Sequence, residues 1–481
     1  MRAIDQLRQQ GVPVTRLTAD SRRVQPGDVF VAFPGAHVDG REFIAQAVQR
    51  GAAGVIAEGG ATARVGAGDT PIAEVAGLGA LSGEIAHLVY GRPSEKLWLA
   101  GITGTNGKTS VSQWIAQAMS AMGRRCAVIG TLGNGFIDDL ADSPNTTPDA
   151  ITLHAALAGF LERGASACAM EVSSIGLEQG RTNGAAFDVA VFTNLTRDHL
   201  EYHGTMQAYA AAKEKLFSLP GLGAAVINLD DPFGIELARR LKGRLPTLGY
   251  TLGTLDGATD EVLRAENLRM GAAGIEFELN GATIAAPVVG RFNASNLLAV
   301  AGALLTRGES LDAIAAALRA IRPPPGRMQA LGGLGQPLVV VDYAHTPDAL
   351  EKALGVLRET ATARSGKLVC VFGCGGERDP GKRPQMGAVA EQLADRVLVT
   401  SDNPRSEDPE VIIEAIVSGM KARPPVRIER ARAVAETIAA AEARDVILLA
   451  GKGHEPYQEI AGLRHPYSDI DAAKSALEAR R

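Results

Sequence analysis

The chain is 481 residues long, more than a single hydrophobic core ordinarily supports, so about three domains are expected. Its 46% apolar and 21% charged make-up, with 55 glycines, excludes a disordered or fibrous chain and suits a globular α/β protein rich in tight turns. A net charge of −5 leaves no basic footprint for nucleic acid.

The first ten residues, MRAIDQLRQQ, lack the apolar core of a signal peptide. No stretch reaches the roughly 18 uninterrupted apolar residues that a spanning helix needs, so a cytoplasmic protein without a membrane partner is expected. Residues 1–92 read as a small α/β domain with a polar turn at ADSRRVQPGD, a strand over 29–33, a helix near 42–50 and a strand GVIA. Gly91-Arg92-Pro93-Ser94 then interrupts the pattern as a linker. From residue 97 a buried-type strand, LWLAGIT, runs into a Gly-rich turn and a helix, and further strands follow at 126–129, 167–171, 189–193 and 224–228. This alternation predicts a mainly parallel sheet covered on both faces. Shorter alternations over 253–287, such as IEFEL, predict an antiparallel extension before the helix entry VGRFNASNLLAVAGAL.

The prolines in Arg322-Pro323-Pro324-Pro325-Gly326-Arg327 cannot continue a helix and mark a second boundary. Strands at 337–342, 367–372, 396–400 and 445–450 then alternate with helices, as in a Rossmann-like doubly wound domain. The expected division is therefore 1–92, 93–326 and 327–481, with no internal repeat. Cys126, Cys168, Cys370 and Cys374 have apolar or Gly-rich neighbours and no paired spacing, which predicts buried reduced thiols.

The strongest local signal is GITGTNGKTS at 101–110, which follows a strand and opens a helix, as a phosphate-binding loop must. The general P-loop pattern asks for glycine where Ile102 stands, so the match is to a shorter form comprising Gly104, Thr105, Asn106, Gly107, Lys108 and Thr109. Lys108 would neutralise the β and γ phosphates of ATP, and the Thr109 hydroxyl would ligate Mg²⁺. Glu171 in AMEVSS and His199 in TNLTRDHLEYHG stand where further sheet strands should end. Magnesium prefers oxygen, which favours Glu171. His199 taken alone is more often a capping or core histidine, and its place in the polar cluster 198–203 argues for the site. Lys213 and Lys215 read as a solvated helix face.

With GTNGKT, EVSS, TNLTRDHLEYHG, GRFNASN, VDYAHTP and GKGHE in this order, the chain resembles the Mur ligases over nearly its whole length. The resemblance implies three α/β domains: a small N-terminal UDP-binding domain, a central P-loop ATPase with a mainly parallel sheet, and a C-terminal Rossmann-like domain that binds the amino acid. It implies an ATP-dependent, amide-forming ligase of peptidoglycan precursor synthesis that works through an acyl phosphate, with two Mg²⁺ ions and as a monomer. Lys213 is then carbamylated to N6-carboxylysine and joins Thr109, Glu171 and His199 around the metals. Asn293, Arg327, Asp342 and His345 contact the adenosine side, Asp342 at the ribose. Ser21, Arg22, Asn145, Thr146, Thr147, Ser173, Gln179 and Arg181 hold UDP-MurNAc-L-Ala-D-Glu. Two departures from the family pattern are Ile175, where relatives often have histidine, and Ala36-His37-Val38, where a more polar trio is common.

Asp402-Asn403-Pro404-Arg405 resembles the version of this motif that selects meso-diaminopimelate, with Arg378, Gly451 and Glu455 beside it. Outside that context the tetrapeptide is an ordinary polar turn. Diaminopimelate carries a second α-amino-carboxylate head, which a guanidinium can grip with two parallel hydrogen bonds. Lysine would leave that cation unpaired. Asn403 and Glu455 would receive the distal ammonium, and Arg378 the other carboxylate. The rival readings are a folylpolyglutamate synthase, which has no UDP domain, and a P-loop switch without ligase chemistry.

Overall fold

Residues 2–35, 38–60, 69–254, 257–271 and 274–480 are described by the computed structural model. Among them the strands form five sheets. A four-stranded parallel sheet runs through Leu17–Thr18, Val29–Ala32, Gly54–Glu58 and Ile72–Val75. The central nine-stranded sheet is parallel across Glu261–Arg264, Thr247–Thr251, Ala224–Asn228, Val189–Phe192, Trp98–Thr103, Ala167–Glu171 and Cys126–Gly130. Its last two strands, Gly133–Phe136 and Asp139–Ala141, are antiparallel. A six-stranded sheet orders Gln329–Gly332, Leu338–Asp342, Val446–Ala450, Leu368–Phe372, Arg396–Thr400 and Val426–Arg427.

Runs such as VILLA at Val446–Ala450 and CAVIG at Cys126–Gly130 are buried at every position. Helices on both faces of the sheet leave no solvated side, so such strands show no polar alternation. The strand order has a functional consequence. Trp98–Thr103 lies between Val189–Phe192 and Ala167–Glu171, so the loops after these three strands emerge side by side. In the six-stranded sheet the segments after Asp342, Phe372, Thr400 and Ala450 gather in the same way.

The chain leaves the first sheet through the helix Leu78–Val89 and a short 3-10 turn at Pro93–Glu95. That helix packs on Ala150–Glu162, and a Cβ at its Gly83 would fall 2.0 Å from Asn183 O, so only glycine permits the approach. At the second crossing, Trp114 Nε1 and Gln117 Nε2 donate to Arg322 O at 3.0 and 3.2 Å, anchoring the proline segment to the helix Lys108–Ala121.

The segment 253–287 differs from expectation in part. Glu261–Arg264 extends the central sheet in parallel, and only Glu266–Gly271, Gly274–Leu279 and Ala282–Ala286 form a separate antiparallel sheet. Both kinds of pairing share a two-residue period, so alternation alone does not separate them. The helix near 42–50 is a 3-10 turn, Gly40–Phe43, leading into Ile44–Gln49. The hairpins at 133–141 and 457–466 fall outside the elements expected from the sequence. All four cysteines are free and buried.

Candidate active site

The phosphate loop ends the strand Trp98–Thr103, and Gly107 (φ 89°) caps the helix Lys108–Ala121. A Cβ at Gly104 (φ 147°) would fall 1.9 Å from Thr193 Oγ1, and one at Gly107 2.6 Å from Asn296 Oδ1, so both positions are closed to other residues. The helix N-terminus and its dipole favour an anion here, while Thr105 N and Asn106 N are held by Asn194. Lys108 Nζ donates to Gly104 O and Thr105 O at 2.8 and 2.9 Å. Burial pushes its pKa down, while Glu171 and Asp198 oppose the shift.

Thr109 Oγ1 donates to Glu171 Oε2 at 3.0 Å and accepts from Arg327 Nη2 at 3.0 Å. Glu171, 1% exposed, also accepts from Thr131 N at 2.9 Å and Thr131 Oγ1 at 3.1 Å. A Cβ at Gly130 would meet Glu171 Oε1 at 2.3 Å, so that glycine makes room for the carboxylate.

Lys213 lies on the other side of the loop, and here the expectation of a solvated face is wrong. Its side chain is 1% exposed, because Met206–Glu214 turns Tyr209, Ala210, Ala212 and Lys213 inward. Only Lys215 is outside, paired with Glu178 at 2.7 Å. Lys213 Nζ donates to Gly104 O at 2.8 Å and stands 4.3 Å over the Tyr209 ring. Burial, assisted by the charge of Lys108, holds its pKa well below the usual lysine range, against the pull of Asp198. His199 adopts φ 54° at the head of Leu200–His203, and its buried Nδ1 lies 3.6 Å from Glu201 Oε1 with no hydrogen-bond partner among the described residues.

Among the described residues no group of three or more His, Cys, Asp and Glu side chains is placed to hold a metal ion by itself. The donor set nevertheless suits magnesium, which takes one or two carboxylates and completes its shell with phosphate oxygens and water. Thr109 and Glu171 could supply the oxygens, and His199, whose Nδ1 faces Glu201 and whose Nε2 faces Asp198, could add a ring nitrogen.

Asp198 joins the central and C-terminal sheets. Its Oδ2 lies 3.4 Å from His345 Nε2 and 3.6 Å from His199 Nε2, and its Oδ1 lies 3.5 Å from Lys382 Nζ. Burial alone would raise its pKa, but His345, His199 and Lys382 outweigh burial and hold it well below the carboxylate range. Arg197 grips Asp379 at 2.9 and 3.1 Å, Asn106 Nδ2 donates to Asp348 Oδ2 at 3.0 Å, and Arg378 reaches within 4.0 Å of Glu201. Arg327 stacks 4.6 Å over Tyr343. Asp342 accepts from Met328 N at 2.8 Å, and burial raises its pKa against Arg327. Asn293 is buried and tied to Val289 O and Asn296.

On the other flank, Thr147 Oγ1 donates to Glu171 O at 3.0 Å and lies 3.1 Å from Ser173 Oγ, while Arg181 Nη1 donates to Thr147 O at 2.7 Å. Gln179 receives Arg181 Nε at 3.0 Å, and Thr146 meets Thr131 at 3.1 Å. Asn145 is exposed. The N-terminal lobe rests on the turn just beyond, where Asn183 Nδ2 donates to Ala80 O at 3.0 Å. Ser21 Oγ donates to Gln46 Oε1 at 2.6 Å and Arg22 pairs with Asp20, both within that lobe. Ala36 and His37 lie outside the described residues; Val38 is exposed.

In the C-terminal sheet, Asp402, Asn403 and Pro404 are buried at the end of Arg396–Thr400. Asn403 Nδ2 donates to Glu455 Oε2 at 2.7 Å. Lys452 Nζ donates at 2.9 Å to both Asn403 Oδ1 and Glu455 Oε2, so an internal ammonium already occupies the pair expected to receive the substrate's. A Cβ at Gly451 would lie 2.5 Å from Asp402 Oδ2. Burial raises the Asp402 pKa, while Lys452 and Arg430 oppose it. Arg405 Nη1 donates to Gly376 O at 2.6 Å.

Sequence reasoning did not single out Asp348, Arg197, Asp379, Lys382, Asn296 or Lys452. Each acts across a long sequence separation, and the one local signal was the density of charge in the segments 375–383 and 196–203.

The chain matches three families, described as Mur ligase family, catalytic domain (residues 13–85), Mur ligase middle domain (102–304), and Mur ligase, glutamate ligase domain (326–453). A Pseudomonas aeruginosa relative, UDP-N-acetylmuramoyl-L-alanyl-D-glutamate--2,6-diaminopimelate ligase, is 52% identical over 97% of this chain and 95% of its own. A solved structure of a ligase of the same name has a TM-score of 0.66 at 38% identity, covering 97% of this chain and 95% of that one. MurF ligase from Thermotoga maritima, solved with ADP, shares the fold with a TM-score of 0.68 at 20% identity, over 97% of this chain and 98% of its own.

Proposed function

The chain belongs to the Mur ligase family, and from that premise we propose that it adds meso-diaminopimelate to the D-glutamate of UDP-N-acetylmuramoyl-L-alanyl-D-glutamate with consumption of ATP. The D-glutamate carboxylate attacks the γ-phosphorus and ADP leaves. The amine of the incoming amino acid then attacks the acyl phosphate carbon, phosphate departs, the amine loses its proton and an amide forms. Residues 1–92, 93–326 and 327–481 are the working units of this reading.

Lys108 and the loop amides bind the β and γ phosphates. Bound at Thr109 and Glu171, with His199 completing a second position, magnesium would neutralise charge between phosphate and carboxylate. The depressed pKa of Lys213 favours attack of its neutral nitrogen on CO₂, which releases one proton and leaves an N-carboxylate anion facing the loop. Asn293, Arg327, Asp342 and His345 face the adenosine side. Arg181, Thr147 and Ser173 orient the muramoyl peptide, with Asn145, Thr146 and Gln179 beside them and Ser21 and Arg22 at the uridine end. Arg405 and Arg378 take the two carboxylates of diaminopimelate, in a pocket shaped by Asp402, Asn403, Pro404, Gly451 and Glu455.

The observation that carries the reading is the Arg327–Thr109–Glu171 chain, in which an arginine beyond the second boundary completes the phosphate site of the central sheet. A ligase whose nucleotide and amino-acid units must meet needs such a crossing, and a free-standing switch does not. The test is ADP release with the UDP-dipeptide and diaminopimelate together and with each omitted. Release that requires both, with the amide product seen by mass spectrometry, supports the reading; release with ATP alone overturns it.

A further inference from the structure

The hairpin Tyr457–Ile460 and Leu463–Pro466 belongs to no larger sheet, yet it is fastened along the whole segment 401–405. Gln458 Nε2 donates to Ser401 Oγ and Asp402 O at 2.8 and 2.6 Å, and Glu459 N donates to Asn403 Oδ1 at 2.9 Å. Arg405 N donates to Glu459 O at 3.0 Å, and Ala461 N donates to Arg405 O at 2.7 Å. Arg405 is thereby held at φ 54°, a left-handed conformation that arginine adopts only under such constraint.

The guanidinium has two ends in use. Nη1 is committed to Gly376 O at 2.6 Å, while Nε faces Glu459 Oε2 at 3.9 Å, beyond hydrogen-bond length. Both side chains are largely withdrawn from water, with exposures of 20% and 24%. Arg464, opposite Glu459 in the hairpin, lies 4.3 Å over the Tyr457 ring, so that cation is directed elsewhere. The other nearby carboxylate, Glu407, is engaged by Arg383 at 2.9 Å.

We propose that Glu459 is a positioning residue that sets amino-acid selectivity through Arg405, as an internal counter-ion that an incoming substrate carboxylate must displace. The proposal rests on the assignment of Arg405 to the distal carboxylate of diaminopimelate. A carboxylate entering at the Nε end must draw Arg405 away from Glu459, which weakens its binding. An amino acid without that carboxylate leaves Arg405 paired with Glu459 rather than buried alone, which softens the penalty against lysine. Glu459 therefore narrows the discrimination that Arg405 would otherwise impose.

The substitution Glu459→Gln removes the charge and keeps the shape, and the hairpin's attachments survive because they are made by the backbone of residue 459 and by Gln458. With the full chain, saturating ATP and the UDP-dipeptide, Glu459→Gln is expected to lower KM for diaminopimelate about three- to tenfold with kcat nearly unchanged, and to lower kcat/KM for lysine. Glu459→Asp should behave like wild type. In an Arg405→Ala background the same change should have no effect on either substrate, as required of a residue that acts through another. An unchanged or raised KM for diaminopimelate in Glu459→Gln, or an equal effect without Arg405, overturns the proposal while leaving the ligase reading in place. A wild-type enzyme that uses lysine as readily as diaminopimelate overturns the assignment of Arg405 and the proposal with it.

Discussion

The amine of Lys213 and the ammonium of Lys108 donate to the same carbonyl oxygen, that of Gly104, each at 2.8 Å. Two lysines converge on one loop, and the charge of Lys108 adds to burial in depressing the tendency of Lys213 to hold a proton. The two are nevertheless suited to different work. Lys108 sits at the helix entrance where phosphate charge would offset its burial, whereas Lys213 keeps its amine toward the neutral form.

Lys213→Ala is therefore expected to lose ligase activity that added bicarbonate does not restore and a short carboxylic acid partly does, since an external carboxylate can stand where the carbamate stood. Activity assays with and without acetate or formate measure this. Full activity without additive would remove Lys213 from the reaction.

Lys108→Ala should abolish turnover without unfolding the chain, because the loop turns on Gly104 and Gly107 and loses only the bonds of Lys108 Nζ to Gly104 O and Thr105 O. Circular dichroism and thermal melting should match wild type while ADP release falls. Activity retained within about tenfold of wild type would contradict a phosphate role.

Arg405→Ala and Arg405→Lys should both harm diaminopimelate addition far more than ATP binding, since one ammonium cannot present two coplanar donors. The loss should be roughly 2–5 kcal/mol, or about thirtyfold to several-thousand-fold in kcat/KM for diaminopimelate. Lysine use should change little or rise slightly. Steady-state kinetics with both amino acids, alongside nucleotide affinity, decide the matter; an equal fall for both would make Arg405 a structural residue.

Acid should loosen the joint between the N-terminal and central sheets. His154 is fully buried on Ala150–Glu162, its Nε2 3.0 Å from Asn183 O and its ring 5.1 Å from that of His87. Burial, with a smaller push from His87, takes its pKa from 6.5 down to about 4. The folded chain thus binds fewer protons here than the unfolded chain does, so the contribution is complete above pH 6.5 and is lost as pH falls toward 4. At most about 3 kcal/mol is at stake. His454, also pushed down to about 4 by burial and the charge of Arg327, titrates in the same window. The decisive measurement is therefore the melting temperature of wild type against His154→Gln between pH 7 and 4.5. The variant should show the shallower decline; parallel declines would clear His154 of the effect.

Much of this protein is written locally. The strand before GTNGKT, the two glycines that loop requires, the proline segment at 322–327 and the buried runs of the C-terminal sheet all follow from short-range pattern, because backbone conformation and burial periodicity are properties of neighbouring residues. Local pattern also sufficed to nominate Lys108, Thr109 and Glu171, whereas Arg405 stood out only through the family resemblance. Local pattern misjudged Lys213, since a lysine on an Ala-rich helix has the same local sequence whether its face meets water or the underside of a phosphate loop. Only the packing of Met206–Glu214 decided that. The same holds for the Lys452 ammonium between Asn403 and Glu455, for the grip of Arg197 on Asp379, and for Glu459 at the edge of Arg405. Each is a pairing of charges from separate loops, and the energy that makes such pairs depends on distance and burial, which no stretch of sequence specifies until the sheets have set the order of their strands.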